Sequence, residues 1–211
     1  MLRVFELTQE TVRPGRLPVL LGSLQVAVRW RDGEYGTLAG SWTTEIGTLN
    51  RCITLWRYDD AVQRENVADA LADAPDWQAY KESIRPELVQ QSHQSLTQLR
   101  PGCDASDGNQ LYEFRIYDVM PGLVSKYMSF MSEAIENREK RSPNFGFWCP
   151  SQGDPDRVIH LWAYRDFNHR LEVRRGALND ASWQTYLTRA QPILRRMRSV
   201  LMVPTDFSPL K

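Results

Sequence analysis

Apolar and polar side chains alternate over Leu111–Tyr117, where Tyr112, Phe114 and Ile116 interleave with Glu113, Arg115 and Tyr117. Strict alternation gives a strand two chemically different faces. Pro121-Gly122 ends that pattern, and a helical period replaces it. Val124, Tyr127, Met131, Ala134 and Ile135 form one stripe of a helix predicted over Leu123–Lys140. Two short strands follow, Phe145–Pro150 and Arg157–Tyr164, joined through Gln152-Gly153-Asp154-Pro155-Asp156. Gly and Asp tolerate the backbone angles of such a turn. Asp166 is placed to cap a second helix, and Asp180-Ala181-Ser182-Trp183 restarts it. Met197–Val203 reads as a closing strand.

The first hundred residues carry the same order. Strands are predicted at Leu2–Thr8, Leu38–Thr44, Arg51–Tyr58 and Ser95–Arg100. Helices are predicted over Leu17–Trp30 and from Asp60, with a restart at Pro75-Asp76-Trp77. The distinctive residues return in register. Phe5-Glu6-Leu7 matches Tyr112-Glu113-Phe114, Pro14-Gly15 matches Pro121-Gly122, and Gly40-Ser41-Trp42 matches Gly146-Phe147-Trp148. Leu55-Trp56-Arg57-Tyr58 matches Leu161-Trp162-Ala163-Tyr164, and Trp77, Tyr80 and Pro86 match Trp183, Tyr186 and Pro192. Tryptophan is rare, so three Trp pairs in register mark a duplication. The chain divides into a diverged first repeat over 1–101, a small polar linker over 102–110 and a second repeat over 111–211. Each repeat reads strand-helix-strand-strand-helix-strand, the split β-α-β plan of a ferredoxin-like unit. The predicted class is α+β, with the two ferredoxin-like repeats packed sheet to sheet as an intramolecular α/β barrel.

Composition narrows the function. The formal net charge of the 211 residues is zero, which argues against nucleic-acid binding through phosphate contacts. The second repeat is the more basic, through Arg170, Arg174, Arg175, Arg195, Arg196 and Arg198. A solvated helical face is the expectation for these, with a basic site as the rival. Cys52, Cys103 and Cys149 are widely spaced, which suits a reducing compartment rather than a disulfide framework or a zinc site. No apolar run approaches the length of a spanning helix, and the chain enters a strand at once. The expectation is a cytoplasmic protein without membrane insertion. A homodimer of the internal pair stays open.

The second repeat resembles the NIPSNAP domain, a member of the dimeric α/β-barrel superfamily. The residues that carry the likeness are Tyr112-Glu113-Phe114-Arg115-Ile116-Tyr117, Pro121-Gly122, Gly146-Phe147-Trp148, His160-Leu161-Trp162-Ala163-Tyr164, Ala177-Leu178-Asn179-Asp180-Ala181-Ser182-Trp183 and the tail Pro204–Leu210. The first repeat resembles a diverged copy. The resemblance implies a fold more than a reaction, since members of the family are mostly uncharacterised. Wider relatives include cofactor-free monooxygenases, small-molecule isomerases and haem enzymes, with substrates held between helices and sheet. No cofactor is expected here, and haem is left open by the superfamily likeness.

His160 is the leading candidate for chemistry. Alternation sets it on one face with Trp162 and Tyr164, and the first repeat has Thr54 in its place. Imidazole suits proton transfer near neutral pH or ligation of haem iron; a hydrogen-bonded packing role is the bland alternative. Glu113 and Arg115 share the polar face of their strand. Arg115 could bind a ligand carboxylate in bidentate fashion or pair with a neighbouring acid. The catalytic set expected is His160 as general acid/base, with Tyr164 or Arg115 steadying negative charge. Trp148, His160, Trp162 and Glu113 are the expected ligand contacts, although core packing also explains the repeated tryptophans. The leading function is binding of a small apolar or aromatic molecule, with cofactor-independent oxygenation or isomerisation as its chemistry. A non-catalytic scaffold or interaction module is the alternative.

Overall fold

Each repeat folds as its alternation and helical periods predict. The computed structural model of the chain describes residues 3–103 and 108–211. Leu2 and residues 104–107, part of the expected first strand and linker, lie outside that range. The elements are β1 (Val4–Val12), α1 (Leu17–Arg31), β2 (Thr37–Ile46), β3 (Arg51–Tyr58), α2 (Ala61–Asp73), α3 (Pro75–Ile84) and β4 (Leu88–Pro101). The second copy gives β5 (Leu111–Val119), α4 (Val124–Glu139), β6 (Asn144–Pro150), β7 (Arg157–Tyr164), α5 (Phe167–Leu178), α6 (Ala181–Ala190) and β8 (Leu194–Pro204). The predicted α+β class and the βαββαβ order are both present. Among the described residues, no helix is long and apolar enough to cross a membrane.

The chain forms two units, residues 1–97 with 202–211, and residues 98–201. In the first, β1 lies between β3 and β4, and β2 flanks β3, all antiparallel. Helices α1 and α3 pack together over that sheet, burying Leu20, Leu24, Val28, Trp56, Tyr80 and Ile84. The C-terminal tail belongs to this unit. Thr205 N–H donates to Ser41 O at 3.0 Å, and Ser208 Oγ accepts from Ser41 N–H at 3.0 Å. In the second unit β5 and β6 flank β7, again antiparallel, with β8 beside β5. Helices α4 and α6 cover one face over Tyr127, Met131, Ile135, Trp162 and Tyr186.

The predicted caps form at Asp60 and Asp166, and Asp180, expected only to restart the helix, caps as well. Asp60 accepts from Gln63 N–H at 2.8 Å, Asp166 from His169 N–H at 2.7 Å and Asp180 from Trp183 N–H at 3.1 Å. Each satisfies a donor that the first helical turn leaves open. The repeated Gly-x-Trp has a steric cause. A Cβ on Gly40 would lie 2.2 Å from the Trp42 ring, and one on Gly146 would lie 2.7 Å from the Trp148 ring. The indole lies across the glycine two residues before it, on the same strand face. Strands β4 and β8 begin earlier than predicted, at Leu88 and Leu194. Their opening residues are exposed and mostly polar, so no alternation announces them; pairing with β1 holds the start of β4.

Candidate functional site

Both repeats build the same polar frame between helix and sheet. In the second, Glu113 sits on β5 with no solvent exposure. Arg170, one turn into α5, grips it with two bonds, Nε–H to Oε2 at 3.0 Å and Nη2–H to Oε1 at 2.8 Å. Ser199 Oγ–H donates to Oε1 at 2.5 Å and Tyr164 O–H to Oε2 at 3.2 Å. Burial alone would raise the Glu113 pKa, but Arg170, Arg115 and Ser199 outweigh it and bring it down to about 2. Arg138, at the end of α4, donates to the Tyr164 hydroxyl at 3.2 Å and lies 4.3 Å from the Trp162 ring centre. The first repeat has the counterparts. Arg31 donates to Tyr58 Oη at 2.5 Å, stacks 4.0 Å from Trp56 and meets Glu6 at 3.4 Å, and Arg64 approaches Glu6 at 3.6 Å.

The repeats part company one step along the same strands. In the second, Arg115 on β5 and His160 on β7 are direct cross-strand partners. They open into a cavity of about 190 Å³, walled by Tyr117, Met131, Trp162, Trp183 and Tyr186, with Leu178, Leu187, Leu194 and Met197 among its further lining. His160 is fully enclosed. Phe147 stacks on it at 4.8 Å and 7°, and the Tyr117 ring meets it edge-on at 4.8 Å. The Trp162 indole N–H donates to His160 Nδ1 at 2.6 Å. An indole can only donate, so Nδ1 must be the acceptor and the imidazole proton sits on Nε2. Burial, followed by the Arg115 charge, holds the pKa well below 6.5 and keeps the ring neutral. Nε2–H itself is buried with no hydrogen-bond partner.

Arg115 is the second unsatisfied group. Its Nε is buried without a partner, and among the described residues it makes neither hydrogen bond nor ion pair. Its guanidinium lies 5.2 Å from the Tyr117 ring centre. The carboxylate on the same strand face, Glu113, is committed to Arg170. In the first repeat the register puts Thr8, Thr54, Ser41 and Glu10 where Arg115, His160, Phe147 and Tyr117 stand. Those groups have partners. Glu10 accepts from Tyr80 O–H and from Gln91 Nε2–H, each at 2.8 Å, and Thr54 Oγ1 lies 3.5 Å from Ser41 Oγ.

Of the residues singled out from the sequence, the structure brings Arg115, His160 and Trp162 to one cavity. Three others are placed differently. Trp148 pairs with Ile159, so it projects from the sheet face opposite His160, which pairs with Phe147. Tyr164 is fully buried, and its hydroxyl is held between Glu113 and Arg138. Glu113 is the counter-ion of the frame and not a wall of the cavity. Sequence reasoning missed Arg138, Tyr117, Met131, Trp183 and Tyr186 as lining. Arg31 and Arg138 stand 107 residues apart, in the register of the repeat, and that was their signal. The basic cluster is split. Arg170 and Arg174 turn toward Glu113, while Arg195, Arg196 and Arg198 are exposed on β8 and not on a helix, the last two near Asp118 at 3.9 and 3.3 Å.

The residues do not fit haem. A haem-ligating imidazole offers a lone pair at the iron-facing nitrogen and donates from the other. Trp162 imposes the reverse on His160, and about 190 Å³ is below the roughly 300–1,000 Å³ of ordinary cofactor pockets.

The NIPSNAP family model matches this chain twice, over residues 5–102 and 112–209. Protein NipSnap of Drosophila melanogaster is 24% identical over 213 residues, covering 98% of this chain and 78% of its own length. NipSnap homolog 2 of Mus musculus is 27% identical over 184 residues, covering 83% of this chain, which spans 63% of that protein. A candidate monooxygenase from Lactobacillus acidophilus shares the fold at a TM-score of 0.74, with 10% identity, 99% of this chain and 98% of its own. An anthrone oxidase-like protein follows at 0.65, with 11% identity over 98% and 93%.

Proposed function

The chain belongs to the NIPSNAP family, and from that premise we propose that its second repeat binds a small aromatic molecule for cofactor-free oxygenation or isomerisation. The observation that carries this is an aromatic cavity lined by Arg115 and His160, each of which carries a buried N–H without a partner, Nε and Nε2. A buried donor without an acceptor costs about 1–3 kcal/mol. A scaffold gains nothing from two of them, whereas a ligand oxygen would satisfy both. His160 then works as a neutral donor and not as the proton acceptor that its residue type suggests, because Trp162 occupies its only lone pair. Arg115 supplies positive charge beside it. Together they favour negative charge as it develops on oxygen, the role of an oxyanion hole. In oxygenation, O₂ would supply both the oxidant and the inserted atom, its second atom leaving as water with the two hydrogens removed from carbon. Isomerisation would move a proton through the same stabilised anion.

Calorimetry with single-ring aromatic compounds tests the site, and Leu187→Trp provides the control by filling the cavity. One ligand per chain is expected for the wild type, and none for a folded Leu187→Trp protein. Binding that survives the filled cavity would overturn the assignment.

A further inference from the structure

We infer that this cavity selects a single-ring phenol or enol and holds it as the oxyanion, its oxygen shared between Arg115 Nε–H and His160 Nε2–H. The inference rests on the cavity being an aromatic site, as proposed above, and adds the group recognised and its charge. Arg115 and His160 are direct cross-strand partners, with Cβ atoms about 4.5–5.5 Å apart, and both residues line the cavity. Neither group can accept a proton in return. Guanidinium has no acceptor, and the His160 lone pair is engaged by Trp162. A neutral phenol would therefore present its O–H to two donors, while a phenolate oxygen accepts from each.

Charge points the same way. Arg115, Arg138 and Arg174 all line this cavity, with no carboxylate in its wall among the described residues. The carboxylate beside it, Glu113, is already bound by Arg170, Ser199 and Tyr164. An unpaired guanidinium in a low-dielectric interior stabilises an incoming anion far more than one in water does. Size sets the rest. A cavity of about 190 Å³ is slightly larger than the roughly 150 Å³ known to hold benzene, which leaves room for one ring and a few substituent atoms.

The probe is 4-nitrophenol, whose anion absorbs in the visible, compared with its neutral methyl ether. The groups facing it are Arg115 and Tyr117 on β5, His160 on β7, Arg138 on α4, Arg174 on α5 and Tyr186 on α6. Burial raises both tyrosines and holds His160 neutral, so none of them changes charge where the dye titrates. Bound dye is expected to ionise about one pH unit or more below free dye, which is about tenfold tighter binding of the anion. Arg115→Met should return the bound dye to its free value while still binding the ether. If wild-type protein binds both compounds and the dye ionises at its free value, the anion inference falls and the aromatic site stands. If benzoate binds more tightly than the nitrophenolate, the group recognised is a carboxylate and the inference is overturned. If neither dye nor ether binds, the aromatic site itself falls.

Discussion

Replacing Glu113 by Gln removes the one carboxylate on which the second repeat's guanidinium frame closes. Its pKa is about 2, against an ordinary value of 4.5. At about 1.4 kcal/mol per tenfold change in proton affinity, the difference corresponds to about 3 kcal/mol of folding stability. The group is fully enclosed, so screening by solvent takes little from that figure. A depressed folded-state value means the unfolded chain takes up the proton first as acid is added. The contribution is therefore complete above the unfolded value of 4.5 and is lost as pH falls toward 2. About 2 kcal/mol of it should disappear between about pH 6 and pH 3. Urea unfolding of wild type and Glu113→Gln across that range reads it directly. At neutral pH the variant should be destabilised by about 3–5 kcal/mol, because Arg170 and its neighbours lose their partner. The gap between the two proteins should then close with acid. Other acids with low pKa values, such as Asp118 beside Arg157, act on both proteins alike and cancel. A gap that stays constant from pH 6 to pH 3 would refute the linkage.

Three further outcomes follow from particular contacts. Gly146→Ala combines a φ of +139° with a Cβ 2.7 Å from the Trp148 ring, and should cost about 2–4 kcal/mol by strain and overpacking. Gly153→Ala, at φ +90° with nothing within 4 Å, should cost only about 1 kcal/mol; equal denaturation midpoints would refute the packing account of Gly-x-Trp. Glu10 is pushed the opposite way from Glu113: burial raises its pKa against the hydrogen bonds from Tyr80 and Gln91. Its ionisation therefore opposes folding, and Glu10→Gln should gain stability over wild type as pH rises above 4.5, an advantage absent in acid. A wild-type protein that keeps pace with the variant from acid to neutral pH would count against this. Nitrogen-resolved NMR of the histidine side chains should find His160 still in the neutral Nε2–H form where an ordinary imidazole is protonated, and an imidazolium appearing near the ordinary 6.5 would remove the donor role.

The duplication and element order were legible because core spacing survives divergence, and Gly-x-Trp shows why. A glycine beneath an indole admits no substitute, so both copies kept it. The cavity was only half legible. Glu113 and Arg115 stand two apart on one strand face, which suggests that they pair. The partner of Glu113 comes instead from Arg170, 57 residues further on, and no local pattern encodes that contact. Trp148 was grouped with His160 by motif, but parity decides faces. The register shift between Asn144 and Gly146 resets parity at a bulge that the sequence does not announce. Arg138 stands in the last turn of α4, where a basic residue ordinarily complements the helix dipole in solvent. Here it turns inward onto Trp162.

Subtracting one repeat from the other separates support from chemistry. The Glu–Arg–Tyr–Trp frame exists twice, in Glu6, Arg31, Tyr58 and Trp56 and again in Glu113, Arg138, Tyr164 and Trp162, so it answers to folding. What remains on the second strand pair is Arg115, His160, Phe147 and Tyr117; on the first it is Thr8, Thr54, Ser41 and Glu10. The first set leaves two donors without acceptors, a penalty of about 2–6 kcal/mol. The second set has hydrogen-bond partners at each of its positions. Two copies of one fold thus make opposite choices at equivalent sites. A chain under selection for stability alone would have removed the costly choice, since threonine at both positions was already available in its own first half. Its presence in one copy is the physical argument behind the binding site proposed for the second repeat.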